Sequence, residues 1–139
     1  YCECGATTRL TRQRKEYVPL EEIREELLHY FSHHPDPDYI TFSGAGEPTL
    51  NMHMGEILEF IKSLKPAVKV AVITNATLCS DPGVRAELVR ADVVLPSLDA
   101  ATAEAFKKIN RPQNDFTVED YVGGLIEFSR VLHVNKLLS

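Results

Sequence analysis

Three short β-branched runs constrain this chain most. YITFSGAGEP (39–48), KVAVITNAT (69–77) and DVVLPSLDA (92–100) each concentrate β-branched, aromatic or other apolar residues in their first half and turn small or polar toward the end. A helical pattern follows each. MGEILEFIKSLKP repeats Ile57, Leu58, Ile61 and Leu64 on one side and stops at Pro66. DPGVRAELVRA is a short helix with Pro82 near its first turn, and TAEAFKKINRP is another. Upstream, VPLEEIREELLHYFSHH places Leu20, Ile23, Leu27 and Phe31 at helical spacing, with Glu21 and Glu22 near the positive N-terminus, until HPDPD breaks it. VEDYVGGLIEFSRVL closes the pattern as a helix weakened by Gly123 and Gly124.

Strands alternating with helices over short loops predict an α/β fold: a parallel sheet with right-handed crossovers, its ligand site at the carboxyl ends of the strands. Three strands cannot close a barrel, so an arc with unpaired edges is expected. The continuous apolar run of KVAVIT predicts burial of that strand on both faces.

Composition narrows the function classes. The 139 residues are 44% hydrophobic and 25% charged, as in an ordinary globular domain, and the net charge of −5 argues against a broad nucleic-acid-binding face. No apolar run approaches a membrane span, and the opening residues do not read as a signal peptide. Three cysteines make no disulfide framework, so a reducing cytoplasm is expected, with the thiols buried or ligating a metal.

The strand ends carry the chemistry. In SGAGEP, Gly44, Ala45 and Gly46 let backbone approach a ligand, and Glu47 offers a carboxylate suited to an ammonium or hydroxyl. No Gly-Lys-Ser/Thr follows, so this is not a phosphate loop. TNAT supplies Thr74, Asn75 and Thr77, and SLD supplies Ser97 and Asp99 two residues apart; singly these are ordinary loop caps, but they converge on one rim. His33 and His34 read as surface residues at a helix end, His29, His53 and His133 as lone histidines, Cys79 as a buried thiol, and Arg111 as either an anion contact or a helix-ending ion pair.

Taken in order, Tyr1-Cys2 with RQRKEYVP, YITFSGAGEPTLN, VAVITNATL, VVLPSLDA and KINRP resemble the radical S-adenosylmethionine (radical SAM) enzymes, in the branch of iron–sulfur oxidoreductases more distantly related to the tRNA wybutosine-synthesis enzymes. The resemblance covers the chain to about Arg130 and implies part of a partial (β/α)6 TIM-like barrel. The family's cluster motif is C-x3-C-x2-C, usually with an aromatic residue before the third cysteine. Tyr1-Cys2 fits that position and makes Cys2 a ligand of a 4Fe–4S cluster, with the other two cysteines expected upstream and Cys4 a bystander or a surrogate ligand. The chain is thus expected to be a single core domain cut at both ends: residues 1–17 the tail of the cluster loop, 18–130 the β/α units, and 131–139 a divergent end. The resemblance further implies reductive cleavage of S-adenosylmethionine to a 5′-deoxyadenosyl radical that takes hydrogen from an unknown substrate. It implies an electron donor such as ferredoxin or flavodoxin. It puts the methionine amino group on Gly46 and Glu47, the carboxylate and ribose at Ser97 and Asp99, and Thr74 and Asn75 along the same wall. Ala45 and Ala76 stand where the family favours glycine, so the turn at Ala76 is expected to shift. Substrate and reaction subtype are not legible, and a tRNA substrate stays open. Two rival readings stand beside this one: a cluster-free fragment serving as a ligand- or protein-interaction module, and a small zinc site through Cys2 and Cys4, for which C-x-C alone is a weak signal.

Overall fold

The computed structural model describes residues 10–44, 46–113 and 115–138, with side chains described through residue 133. Helix α1 (Leu20–His33) precedes β1 (Tyr39–Phe42). Then come α2 (Met54–Leu64), β2 (Lys69–Thr74), α3 (Pro82–Leu88), β3 (Val93–Pro96), α4 (Ala103–Ile109) and α5 (Val118–Leu138). A single 3-10 turn, Pro48–Leu50, lies between β1 and α2. The strands pair in the order β1-β2-β3, all parallel, with Tyr39 opposite Lys69 and Ala71 opposite Val93. This is the expected α/β arrangement, a sheet of alternating β/α units forming part of a TIM-like barrel.

Local chemistry sets the helix ends. Asp81 caps α3 by accepting from the Gly83 and Val84 N–H groups, with Pro82 at the first turn. Thr102 caps α4 through the Ala105 N–H. Pro19 precedes α1, whose Leu20, Ile23, Leu27 and Phe31 are only half-buried. Helix α5 runs on past Arg130 to Leu138 rather than giving way to a strand.

One face of the sheet holds the core. Val70 and Val72 of β2 are fully buried under Met54, Leu58 and Ile61 of α2 and Val84 and Leu88 of α3, and the same cluster continues through Phe106, Phe116, Tyr121 and Phe128. The other face is largely open: Tyr39, Ile73 and Leu95 are 46%, 41% and 53% exposed, with only the small Ala71 buried between them. The expectation that β2 is buried on both faces therefore fails at Lys69 and Ile73. Three strands cannot curl far enough to cover their own inner wall, so the apolar side chains there meet solvent among the described residues.

Asp92 pins the start of β3. Its carboxylate accepts from the Val70 N–H at 2.7 Å and from Lys62 Nζ at 2.9 Å. Burial pushes this carboxyl up, but the bonds from Lys62 and Val70 outweigh it and hold it below its ordinary value. A depressed carboxyl adds stability above its ordinary pKa and loses it as pH falls through the lowered one. The chain should therefore lose thermal stability below about pH 4, and Asp92→Asn should flatten that part of the melting-temperature profile.

Candidate functional site

Glu47 leaves β1 and turns back over the strand ends. Its Oε1 accepts from the Thr49 N–H at 3.1 Å, from Thr49 Oγ1 at 2.6 Å and from Thr74 Oγ1 at 2.6 Å. Its Oε2 accepts from the Asn75 N–H at 2.7 Å. Thr49 and Thr74 are buried. One carboxylate thus ties the loop after β1 to the end of β2. The chain of bonds goes on: the Ser97 N–H donates to the Thr74 carbonyl at 2.9 Å, and the Tyr121 hydroxyl donates to the Ser97 carbonyl. All three strand ends are stitched in one line.

The predicted residues divide into two groups. Gly44 and Gly46 border open space, since a Cβ built at either meets nothing within 4 Å, while Glu47 beside them is half-buried; Gly44 has φ +121°, a conformation that favours glycine. Asn75 is exposed and spends its Oδ1 on the Thr77 N–H. Ser97 and Asp99 lie just past β3, which ends at Pro96, so strand alternation does not set their directions; Ser97 is half-buried and Asp99 exposed. Thr74 instead turns inward, donating to Glu47 and accepting from the Ala76 N–H at 3.0 Å. It holds Glu47 in place rather than lining the wall. Cys2, Cys4 and Ala45 lie outside the described residues, and among the described ones no group of three His, Cys, Asp or Glu side chains is set to hold a metal.

Ala76 adopts φ +61° and is buried, so the turn keeps the left-handed geometry that glycine would serve and the alanine bears the strain. Cys79, three residues on, is fully buried; burial first and the Glu47 charge second push its thiol up to about 11, which keeps it a neutral core residue.

Several supporting residues were not legible. Arg14 donates to the Thr49 carbonyl at 2.9 Å and the Asn51 carbonyl at 2.9 Å while pairing with Glu87. Lys15 forms a parallel bridge to Asn51. Arg12 pairs with Asp115 at 2.6 Å and sits 4.8 Å from the Phe116 ring centroid. The basic segment therefore laces the Glu47 loop to the turn before α5, and alternating Arg12 and Arg14 in a strand-like stretch was the available signal. Tyr121 anchors the Ser97 carbonyl; burial, with the Asp99 charge adding to it, pushes its phenol up. Nor is His53 alone, since it lies 2.7 Å from Glu56 and 3.2 Å from Glu16, and His29 stacks on His33 with centroids 4.2 Å apart.

Comparison with known proteins gives this rim a context. A GTPase Obg of Brachyspira hyodysenteriae is 37% identical over 131 residues, covering 94% of this chain and 19% of that protein. A UPF0026 protein of Synechocystis sp. is 38% identical over 130 residues, covering 94% of this chain and 48% of the relative. One from Methanocaldococcus jannaschii is 28% identical over 130 residues, covering 92% and 40%. The chain thus spans from about a fifth to about half of the length of these relatives. No solved structure matches it. No helix among the described residues is long and apolar enough to cross a membrane. The family model described as the Radical SAM superfamily matches residues 1–134, nearly the whole chain, and the chain belongs to that superfamily.

Proposed function

We propose that this chain supplies the S-adenosylmethionine-binding rim of a radical SAM enzyme, an iron–sulfur oxidoreductase working in the cytoplasm. One observation carries the reading. Glu47 Oε1 is filled by three donors, whereas Oε2 accepts from the Asn75 N–H alone among the described residues, in a loop where a Cβ at Gly44 or Gly46 would meet nothing within 4 Å. A carboxylate fixed on one side and open on the other fits an ammonium. The donor set therefore suits the methionine amino group at Gly46 and Glu47, with Asn75 beside them and Ser97 and Asp99 toward the carboxylate and ribose. Thr74, buried, orients Glu47. Cys2 would be one of three thiolates on a 4Fe–4S cluster, which supplies one-electron reductive cleavage of the S-adenosylmethionine C–S bond. The protein's part is to hold that cofactor at the strand ends and keep water from it. A small iron–sulfur protein or flavoprotein, such as ferredoxin or flavodoxin, would deliver the electron.

A second reading draws on the open sheet face, where Tyr39, Ile73 and Leu95 are exposed: a cluster-free ligand- or protein-binding module. Anaerobic iron–sulfur reconstitution separates the two. This chain, a version extended upstream of Tyr1 to complete the cysteine motif, and that version with Cys2→Ala are compared for iron content and S-adenosylmethionine binding. About four irons in the extended form alone, lost in the Cys2 variant, supports the enzyme. No iron in any form supports the module.

A further inference from the structure

The described cations of this chain are nearly all engaged. Arg and Lys side chains from every other part of the fold meet a carboxylate, a carbonyl or an aromatic ring. Among the described residues three have no such partner, and they fall within five positions: Lys107, Lys108 and Arg111. All three are exposed. Lys107 and Lys108 occupy the last turn of α4, and Arg111 follows two residues past the end of that helix.

The backbone at Arg111 is the second observation. Asn110 is the C-cap of α4, and Arg111 follows at φ +47°. That position, left-handed and just past the cap, is one that glycine fills at no steric cost. Arg111 also precedes Pro112, which further disfavours compact backbone. A long cationic side chain is thus held where the main chain would favour glycine, a pattern that points to use of the side chain. The turn is also tied to the rim. Phe106 of α4 packs against the Tyr121 ring with centroids 5.1 Å apart, and the Tyr121 hydroxyl donates to the Ser97 carbonyl.

We propose that Arg111, with Lys107 and Lys108, receives a phosphate or diphosphate group of the substrate beside the Ser97–Asp99 rim. The planar guanidinium takes phosphate oxygens in pairs, and the two ammonium groups add point charge. One such group fits better than a nucleic-acid strand, because the chain carries a net −5 and its other described cations are engaged. The inference rests on reading this rim as the substrate side.

The test needs neither cluster nor S-adenosylmethionine. Sodium pyrophosphate is titrated calorimetrically into this chain at low salt, and into Arg111→Gly, Arg111→Lys and Lys107→Ala/Lys108→Ala. Arg111→Gly should weaken pyrophosphate binding about ten-fold or more while raising the melting temperature by a few degrees, about 2–4 °C, as backbone strain is relieved. Arg111→Lys should recover part of the affinity, and the double lysine variant should lose part. Affinity and stability moving in opposite directions is a signature that a structural role would not give. Undiminished pyrophosphate binding in Arg111→Gly overturns the proposal. So does single-stranded RNA binding more tightly than pyrophosphate, with a steep salt dependence set by the same three residues. If the proposal fails while the reconstituted, extended protein still binds S-adenosylmethionine, only the phosphate assignment falls.

Discussion

Glu47→Gln is expected to cost the chain stability and, on the function proposed above, its affinity for S-adenosylmethionine. The carboxylate takes four donors, and two of them, the Thr49 and Asn75 N–H groups, are backbone and cannot turn away. An amide presents one acceptor oxygen and one NH2 group, which only donates. Whichever way the glutamine lies, its NH2 meets one of those N–H groups. The threonine hydroxyls can rotate, but Thr74 Oγ1 already accepts from the Ala76 N–H, so its one proton must still find a partner. Losing charge-assisted bonds and leaving a buried donor unmet should lower stability by about 2–3 kcal/mol. In the reconstituted, extended protein, S-adenosylmethionine affinity should fall at least ten-fold, because the ammonium loses its counter-charge. Thr74→Val separates the two effects. It keeps the charge at Glu47 but removes one support, so a smaller stability loss of about 1–2 kcal/mol is expected, with a partial loss of cofactor affinity. A Glu47→Gln protein that melts with the parent and binds S-adenosylmethionine equally well would remove Glu47 from the site.

What the sequence revealed and what it hid follow from the range of the interactions. The helices, the three strands and their parallel order were legible because 3.6- and 2-residue periods, Asp81-Pro82 and Thr102 act within a few residues. Gly46, Glu47, Asn75, Ser97 and Asp99 were legible as strand-end residues for the same reason. The role of Thr74 was not, because its inward turn depends on Glu47, twenty-seven positions away. Arg14 and Arg12 meet partners still more distant in sequence, at Glu87 and Asp115. No local pattern announces such pairs. The error at Ile73 has another origin. An apolar run states that a strand prefers cover on both faces, but not whether the fold supplies it.

Gly124→Ala is expected to be the most disruptive alanine substitution among the described glycines, and Gly123→Ala a stabilising one. Both glycines sit inside α5, where each costs about 1 kcal/mol relative to alanine by helix propensity alone. Their surroundings are opposite. A Cβ at Gly123 meets nothing within 4 Å, so alanine there should gain roughly that 1 kcal/mol. A Cβ at Gly124 would lie 2.6 Å from the Ser80 nitrogen and 2.8 Å from the Cys79 carbonyl carbon, main-chain atoms of the turn after β2. Backbone cannot swing aside like a long side chain, so α5 must lift or the turn must move. Overpacking of this kind costs about 3 kcal/mol, leaving a net loss near 2 kcal/mol after the propensity gain. The consequence reaches the rim. Tyr121 and Phe128, one turn to either side of Gly124, are buried, and Tyr121 holds the Ser97 carbonyl. If α5 lifts, Ser97 loses its anchor and the line of bonds across the strand ends is cut. Thermal melts of the two variants should therefore shift in opposite directions, Gly123→Ala upward by a few degrees and Gly124→Ala downward by about 6–8 °C. Shifts of the same sign would mean that α5 does not pack on the Cys79–Ser80 turn as closely as described, and that the support of Ser97 by Tyr121 needs another account.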